Sequence, residues 1–257
     1  MYRKKEKGFV RPLLSHANVN DMRVHRFYVP GRLSDELLIE HRPLVHQMKR
    51  VLRIRAGDTV RLFNGAGVER VYLLASIDDT RVDLRFQEDI APNIPKRHIT
   101  LFFSLLKKDK TDWVMQKTTE IGVSRLVPLF TDRTEKTGFS RERAERIVIE
   151  AAEQCGRGDI PEIVEPLQLE DAIDEFDSLM ELFYCDEGES AAVGSSTHAL
   201  GCFVGPEGGW SDAELEYFAR RGIQGLALSP FTLRAETACV AAVLTFSTAH
   251  PFRELDN

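Results

Sequence analysis

Two segments in the last quarter of this 257-residue sequence combine residue types that could bind a ligand and move a proton. The first, residues 203–210 (FVGPEGGW), runs from an apolar strand pattern into a glycine-rich turn. Glycines let a backbone approach a ligand closely, and such a turn leaves amide N–H groups free to donate hydrogen bonds. A plain strand–turn–helix connection would have the same pattern, so spacing alone leaves both interpretations open.

The second segment, residues 228–238 (LSPFTLRAETA), places a cation and a carboxylate at the start of a predicted helix. Glu236 lies in the first turn, where a negative charge is favourable for the helix dipole, and this is a sufficient structural reason for it. Arg234 works against the same dipole, so its presence favours a ligand or substrate nearby. An arginine and a carboxylate could stabilise a developing anion and accept a proton.

Other chemistry has little support in the sequence. Neither segment matches the dinucleotide-binding or P-loop glycine patterns, and the seven histidines form no HExxH or HxxE pair, so we predict no metal site. The cysteines are widely spaced, which argues against a zinc site or disulfide scaffold; they are Cys155, Cys185, Cys202 and Cys239. Three neighbouring polar residues lack a GxSxG frame and are interpreted as loop residues: Ser195, Ser196 and His198.

The elements that must position these segments follow from hydrophobic patterns. Short alternating runs before residue 90 predict a small β-barrel with strands at 26–29, 59–64, 68–77 and 81–86. After a linker marked by Pro92 and Pro95, strands alternate with helices, which predicts an α/β domain with a mostly parallel sheet. The predicted strands are 98–106, 125–130, 179–185, 201–204 and 225–228; the predicted helices are 109–121, 140–156, 211–221 and 235–246.

Both candidate segments follow predicted strands of this sheet, and ligands bind beyond the carboxyl ends of such strands. Ser211 and Glu214 form a capping-box pattern that opens the helix after the glycine turn. The last helix is apolar nearly all round, so we expect it to be buried. Residues 46–54 are expected to form a helical turn that exposes several lysine and arginine side chains.

Charge is distributed unevenly. The net charge is -6, but residues 1–70 hold 15 Lys and Arg against 7 Asp and Glu. A basic front part suits a polyanion such as RNA, although a solvated charged surface would look the same. No apolar run approaches the roughly 20 residues of a membrane helix and no signal-peptide core is present, so we expect a soluble, cytoplasmic protein. Residues 1–22 are interpreted as a weakly ordered extension, with Met22 as a candidate start.

The two segments, taken with three other stretches, resemble the RsmE family of the SPOUT superfamily. The resemblance covers about residues 23–250 and rests on residues 205–210 (GPEGGW), 233–238 (LRAETA), 107–123 (KKDKTDWVMQKTTEIGV), 150–157 (EAAEQCGR) and 23–29 (RVHRFYV). Members of this family methylate N3 of a uridine in 16S ribosomal RNA of the small ribosomal subunit. The resemblance implies a PUA-like RNA-binding β-barrel at 23–91 and a SPOUT domain at 96–257 with a deep trefoil knot.

The resemblance also implies S-adenosylmethionine as the methyl donor and a homodimer whose interface borders each active site. Carried over by position, Arg234 and Glu236 are catalytic, and the cofactor contacts are Gly205, Pro206, Glu207, Gly208, Leu228, Ser229 and Leu233. The RNA-binding residues expected on the barrel are Arg23, Arg26, Lys49, Arg50, Arg53 and Arg55. The chain departs from the family pattern at Ser229 and Phe231, where the family often has Gly and Arg.

Three alternatives stay open at this point. The first is a SPOUT methyltransferase acting on another RNA position, such as a ribose hydroxyl. The second is a non-catalytic RNA-binding assembly factor that keeps the fold, against which the glycine turn and the Arg234–Glu236 pair argue. The third, an NAD-type oxidoreductase, is disfavoured because its glycine fingerprint is missing.

Overall fold

The computed structural model describes residues 24–135, 138–186 and 199–248, and these form two β-sheets that follow one another along the chain. The predictions made for residues 1–22, for Arg23 and for the loop with Ser195, Ser196 and His198 lie outside the described residues.

The first sheet has five strands in the order β1-β3-β4-β5-β2, in agreement with the predicted all-β front part. Its pairs are antiparallel except for the parallel pair β1–β3. Its core side chains include Phe27, Met48 and Tyr72, all fully buried. The strands are β1 His25–Tyr28, β2 Glu36–Ile39, β3 Thr59–Phe63, β4 Glu69–Ile77 and β5 Val82–Ile90.

The expected helical turn between β2 and β3 is present and begins earlier than predicted. The helix α1 Arg42–His46 has a proline in its first turn, where its fixed φ and missing N–H are tolerated. It continues directly into the π-helical turn Gln47–Val51. Beyond this turn, Arg53 has a φ of 57°, an uncommon left-handed conformation for a residue with a side chain.

Among the described residues the second sheet has seven strands, and all of its pairs are parallel, as the strand–helix alternation predicted. Its order is β12-β10-β11-β6-β7-β8, with β9 also pairing with β7. The central strand β6 is buried at every position except His98, as expected for a strand covered on both faces. The strands are β6 His98–Ser104, β7 Arg125–Phe130, β8 Glu162–Ile163, β9 Leu167–Gln168, β10 Glu181–Cys185, β11 Ala199–Val204 and β12 Gln224–Leu226.

Helices connect these strands, and local sequence signals define their ends. The Ser140 side chain accepts a hydrogen bond from the Arg143 N–H at the start of α3, and Gly156, with a φ of 83°, ends that helix. The predicted capping box of Ser211 and Glu214 is confirmed at the start of α5. The helices are α2 Lys108–Glu120, α3 Arg141–Cys155, α4 Leu169–Phe176, α5 Asp212–Arg220 and α6 Ala235–Thr248.

The helix α6 differs from its prediction in one respect. One of its faces packs into the core through residues such as Cys239 and Phe246, as expected. Its opposite face is not covered by the described residues: the Leu244 side chain is 49% exposed and Thr237 is also exposed. Apolar residues occur on every face of α6, but one of those faces is not buried within a single chain.

The two sheets are joined through Arg26, one of the residues predicted to bind RNA. Its guanidinium makes two hydrogen bonds to the Glu69 carboxylate, at 2.9 and 3.0 Å, and its side chain is only 9% exposed. It also donates to the carbonyl oxygens of Ala152 and Arg157, at the end of α3 and just beyond it. Arg26 thus anchors β1 to the second part of the chain, and its charge is paired with Glu69 within the protein.

None of the helices in the described ranges is long and apolar enough to cross a membrane. The trefoil knot and the domain boundaries at 23–91 and 96–257 stay predictions.

Candidate active site

A cavity of about 600 Å³ lies beyond the carboxyl ends of β10, β11 and β12, where a ligand is expected in a parallel sheet. The two segments singled out in the sequence face each other across it. Every predicted cofactor residue is in its wall, together with Arg234; these residues are Gly205, Pro206, Glu207, Gly208, Leu228, Ser229 and Leu233.

The glycine turn that forms one wall is supported by the indole of Trp210. A Cβ atom added to Gly205 would lie 3.1 Å from the Trp210 ring, a tight contact that would require the indole to move by a few tenths of an ångström. The Trp210 Nε1–H donates to the Cys185 carbonyl oxygen at 3.0 Å, which fixes the ring against the end of β10. Gly209 has a φ of 70° and its N–H donates to the Pro206 carbonyl oxygen at 2.9 Å. The turn is therefore closed and rigidly backed.

The loop after β7 supports the same turn from the side. The Arg133 guanidinium donates to the Gly208 carbonyl oxygen at 2.7 Å. The Asp132 N–H donates to the Glu214 carboxylate at 3.0 Å, and the Ser211 hydroxyl donates to the Asp132 carboxylate. Neither Asp132 nor Arg133 could be predicted from the sequence, because their contacts join distant segments and have no local signal.

Lys110, in the first turn of α2, was also missed and connects the two walls. Its Nζ atom lies 3.0 Å from Glu207 Oε1 and 3.2 Å from Glu236 Oε2. The hydrogen bond to Glu207 and then the interaction with Glu236 raise the pKa of Lys110, so the ammonium stays charged. Burial favours a higher pKa for Glu207, but the hydrogen bonds from its own N–H and from Lys110 outweigh it, and the pKa is lowered. The only sequence signal was the lysine-rich start of the stretch 107–123.

The two predicted catalytic residues have different surroundings. Arg234 precedes α6, is exposed and lines the cavity, and its side chain makes no ion pair with the described residues. Glu236 lies in the first turn of α6, where its carboxylate is 15% exposed and faces Lys110. Glu236 is beside the cavity and does not form its wall. Arg234 can therefore contact a ligand in the cavity directly, whereas the Glu236 carboxylate lies just outside the cavity wall.

The cavity suits a nucleoside-sized ligand. Its volume lies within the range of small-molecule sites. Apolar side chains such as Val204, Leu226 and Leu228 can cover an aromatic base, while the polar backbone of the glycine turn can bind a charged or hydroxyl-bearing end. Within the described ranges no three His, Cys, Asp or Glu side chains are grouped so as to hold a metal ion.

The cations predicted to bind RNA differ in how they are used. Lys49 and Arg50 share the Asp79 carboxylate, at 2.9 and 2.7 Å, and hydrogen bonds from Lys49 and Arg50 lower the pKa of Asp79. Arg53 and Arg55 are exposed, and their side chains make no ion pair with the part of the chain described here. These two arginines are the ones most readily available to a phosphate.

Two family models match the chain. The RNA methyltransferase domain matches residues 92–247, and the RNA methyltransferase PUA domain matches residues 45–87. The first covers the parallel sheet and the cavity; the second covers most of the front sheet.

Curated relatives extend over nearly the whole chain. It is 30% identical to the Ribosomal RNA small subunit methyltransferase E of Rickettsia conorii, over 86% of this chain and 94% of the relative. It is 31% identical to the protein of the same name from Aquifex aeolicus, over 86% of this chain and 97% of the relative.

A solved structure agrees with these relatives. The Ribosomal RNA small subunit methyltransferase E of Neisseria gonorrhoeae, bound to S-adenosyl methionine, superposes with a TM-score of 0.81 and 27% identity. The match covers 88% of this chain and 98% of that one. From the matched domains, the relatives and this fold, the chain belongs to the ribosomal RNA small subunit methyltransferase E family.

Proposed function

We propose that this chain transfers the methyl group of S-adenosylmethionine to N3 of a uridine in 16S rRNA of the small ribosomal subunit. The observation that carries the proposal is the meeting of the glycine turn and residues 228–234 around one nucleoside-sized cavity with Arg234 in its wall. The family and the S-adenosyl methionine bound to the Neisseria protein support the choice of cofactor and RNA.

The residues that would hold the cofactor are the seven predicted ones. The apolar side chains of Leu228 and Leu233 would cover its adenine, and the backbone of Gly205 to Gly208 would hold its polar end. When bound, S-adenosylmethionine supplies a methyl group on a sulfonium that is open to in-line displacement. Trp210 and Arg133 hold the glycine turn in place, so the turn would bind the cofactor in a fixed position; alignment of donor and acceptor can contribute several kcal/mol to catalysis.

The acceptor must also become a nucleophile. Uracil N3 carries a proton, and its loss spreads negative charge onto O2 and O4. Arg234 in the cavity wall can stabilise this charge. Glu236 is proposed to accept the proton through a water molecule, because its carboxylate lies beside the cavity and faces Lys110.

The substrate must reach this cavity as an unpaired base. N3 lies on the base-pairing edge of uracil, so the target has to be extruded or single-stranded. The front sheet is proposed to hold the surrounding phosphates through four cations: Lys49, Arg50, Arg53 and Arg55. Because the proposed substrate is ribosomal RNA, we also propose that the protein acts in the cytoplasm.

We also propose a homodimer. The uncovered face of α6 carries Val240, Ala241 and Leu244, the last of them 49% exposed. An apolar helix face of this kind is typical of an interface between subunits. A second copy packed on it would lie next to Arg234, at the start of the same helix.

The experiment is incubation of the pure protein with methyl-labelled S-adenosylmethionine and small subunits that lack the modification, followed by nucleoside analysis. Label in 3-methyluridine is expected, and the Arg234→Ala variant should incorporate far less. Label on a ribose hydroxyl would identify the other class of methyltransferase. Subunit binding without any label would identify an assembly factor. A parallel incubation with free 16S rRNA decides which form is the substrate.

A further inference from the structure

Phe231 is an exposed aromatic side chain at the cavity. It is 78% exposed, more than any other large hydrophobic side chain in the described part of the protein. It belongs to the wall formed by residues 228–235 and lies three residues before Arg234. The exposure of an apolar ring beside a ligand cavity is explained if a bound ligand covers that ring.

A local hydrogen bond orders the backbone that carries Phe231. The Phe231 N–H donates to the Ser229 Oγ atom at 3.1 Å, and Pro230 between them has a restricted φ. Ser229 and Phe231 are also the two positions at which this chain departs from the usual Gly and Arg of the family. The two departures are therefore connected by a hydrogen bond, and the serine hydroxyl orders the turn that carries the phenylalanine.

We propose that Phe231 is a substrate-binding residue that stacks on an unpaired base of the rRNA at the mouth of the cavity. Proteins that bind unpaired bases commonly combine an aromatic ring with a nearby cation. Phe231 supplies the ring and Arg234, also exposed, supplies the cation. The inference rests on the proposed function and adds to it a contact that selects an extruded base.

Stacking differs from a phosphate contact in its response to salt. An arginine on a phosphate adds to the salt dependence of binding, whereas base stacking is largely insensitive to salt. An enzyme with Phe at position 231 should therefore hold its substrate by one fewer salt-sensitive contact than an otherwise equal enzyme with Arg there.

The test compares four variants of the full chain: Phe231→Ala, Phe231→Leu, Phe231→Tyr and Phe231→Arg. Binding to unmodified small subunits, the KM for them and the Kd for S-adenosylmethionine are measured for each. The matched control is Leu179→Ala, because Leu179 is 61% exposed but precedes the amino end of β10, whereas the cavity lies beyond the carboxyl end of that strand. Sedimentation velocity records the oligomeric state of every variant.

Phe231→Ala is expected to weaken subunit binding about 5- to 150-fold, as loss of one stacked base would, and to leave the cofactor Kd unchanged. Phe231→Tyr should retain binding, Phe231→Leu should not, and Leu179→Ala should have no effect. Phe231→Arg should make the salt dependence steeper by about one unit of slope.

Three results would overturn the inference. Equal binding by the Leu and Phe proteins would mean that aromaticity is not used. A change of oligomeric state in Phe231→Ala would assign the ring to a contact between subunits. Equal losses of cofactor and subunit binding would assign it to the cofactor wall. If the unaltered protein binds subunits but transfers no methyl group, the proposed function fails, while the binding comparison still decides the role of Phe231.

Discussion

The Nζ atom of Lys110 lies 3.2 Å from Glu236 Oε2, which links the first turn of α2 to the first turn of α6. The same ammonium lies 3.0 Å from Glu207 in the glycine turn. Two carboxylates from separate segments thus share one cation. Because both segments form or border the cavity, Lys110 is in a position to set their relative placement.

Replacing Lys110 with Met should therefore affect both walls. Without the ammonium, the Glu207 and Glu236 carboxylates repel each other, so the turn and the start of α6 shift apart. We expect weaker cofactor binding and a roughly ten- to hundredfold lower kcat, since small misplacements of reacting groups cost this much. Lys110→Arg should retain most activity. The control is Lys117→Met on the same helix, where the lysine pairs with Glu120 at 2.8 Å and with no second carboxylate among the described residues. Equal behaviour of the two Met variants would refute the role of Lys110.

Arg234→Ala removes the exposed cation of the cavity wall. If Arg234 stabilises negative charge that develops on the base, kcat should fall about 10²- to 10³-fold with little change in cofactor affinity. Single-turnover methylation and calorimetry with S-adenosylmethionine measure the two effects separately. Arg133→Ala is a useful comparison, because that arginine holds the Gly208 carbonyl oxygen and should affect cofactor binding first. Equal losses of rate and cofactor affinity in Arg234→Ala would remove its proposed catalytic role.

Glu236→Gln tests the proposed base. The amide keeps the size of the side chain but cannot accept a proton from N3, so the rate should fall about 10²- to 10⁴-fold. The variant also loses the ion pair with Lys110, which is a separate effect. Glu207→Gln is the matched control, because it removes the other carboxylate on Lys110 and leaves Glu236 intact. Near-normal rates of Glu236→Gln across the pH range would exclude this residue as the base.

Most of the fold could be predicted from the sequence because its signals are local. The buried run of β6, the capping box of α5 and the glycine that ends α3 each lie within a few residues of the element they define. Two elements that the sequence did not predict are short. β2 has four residues and α4 has eight, which is too few for the hydrophobic periodicity of either element to be recognised.

The site was less predictable, because its contacts join distant segments. The cavity wall could be predicted from two glycine- and charge-bearing segments, but Lys110 and Arg133 reach it from α2 and from the loop after β7. Arg26 likewise has partners that the sequence did not reveal. Composition alone made it one more cation of a basic front, whereas Glu69 and two carbonyl oxygens bury its charge. Local pattern gives no information about such long-range partners.

The salt dependence of RNA binding tests the front sheet. Arg53 and Arg55 are exposed and make no ion pair with the described residues, so both can contact phosphates. Replacing both with Ala should weaken binding and flatten the slope of log K against log salt by about two units. Filter binding between low and physiological salt measures the slope. Replacing Arg220, an exposed arginine of α5, gives the control. An unchanged slope in the double variant would move the RNA surface elsewhere.

Glu153 on α3 makes stability depend on pH at the junction of the two sheets. Its carboxylate accepts the Tyr28 N–H at 2.7 Å. Burial raises the pKa of Glu153 above its ordinary value of 4.5, and this outweighs the Tyr28 hydrogen bond and the attraction of Arg26, while Glu150 adds repulsion. A raised pKa means that the folded protein holds the proton more tightly than the unfolded chain does. The contribution of Glu153 to the stability of the fold is therefore fully present below pH 4.5, and it is lost as the pH rises through the raised pKa.

Glu153→Gln should therefore stabilise the protein at pH 7, because the amide oxygen can accept the same hydrogen bond without a buried charge. The gain should shrink as the pH falls and vanish below about pH 4.5, where the native carboxyl is protonated in both states. Thermal unfolding over a pH series measures this difference. Glu175→Gln, at an exposed position of α4, should show no such trend. A Glu153→Gln protein that is less stable at pH 7 would mean that attraction to Arg26 outweighs the cost of burial.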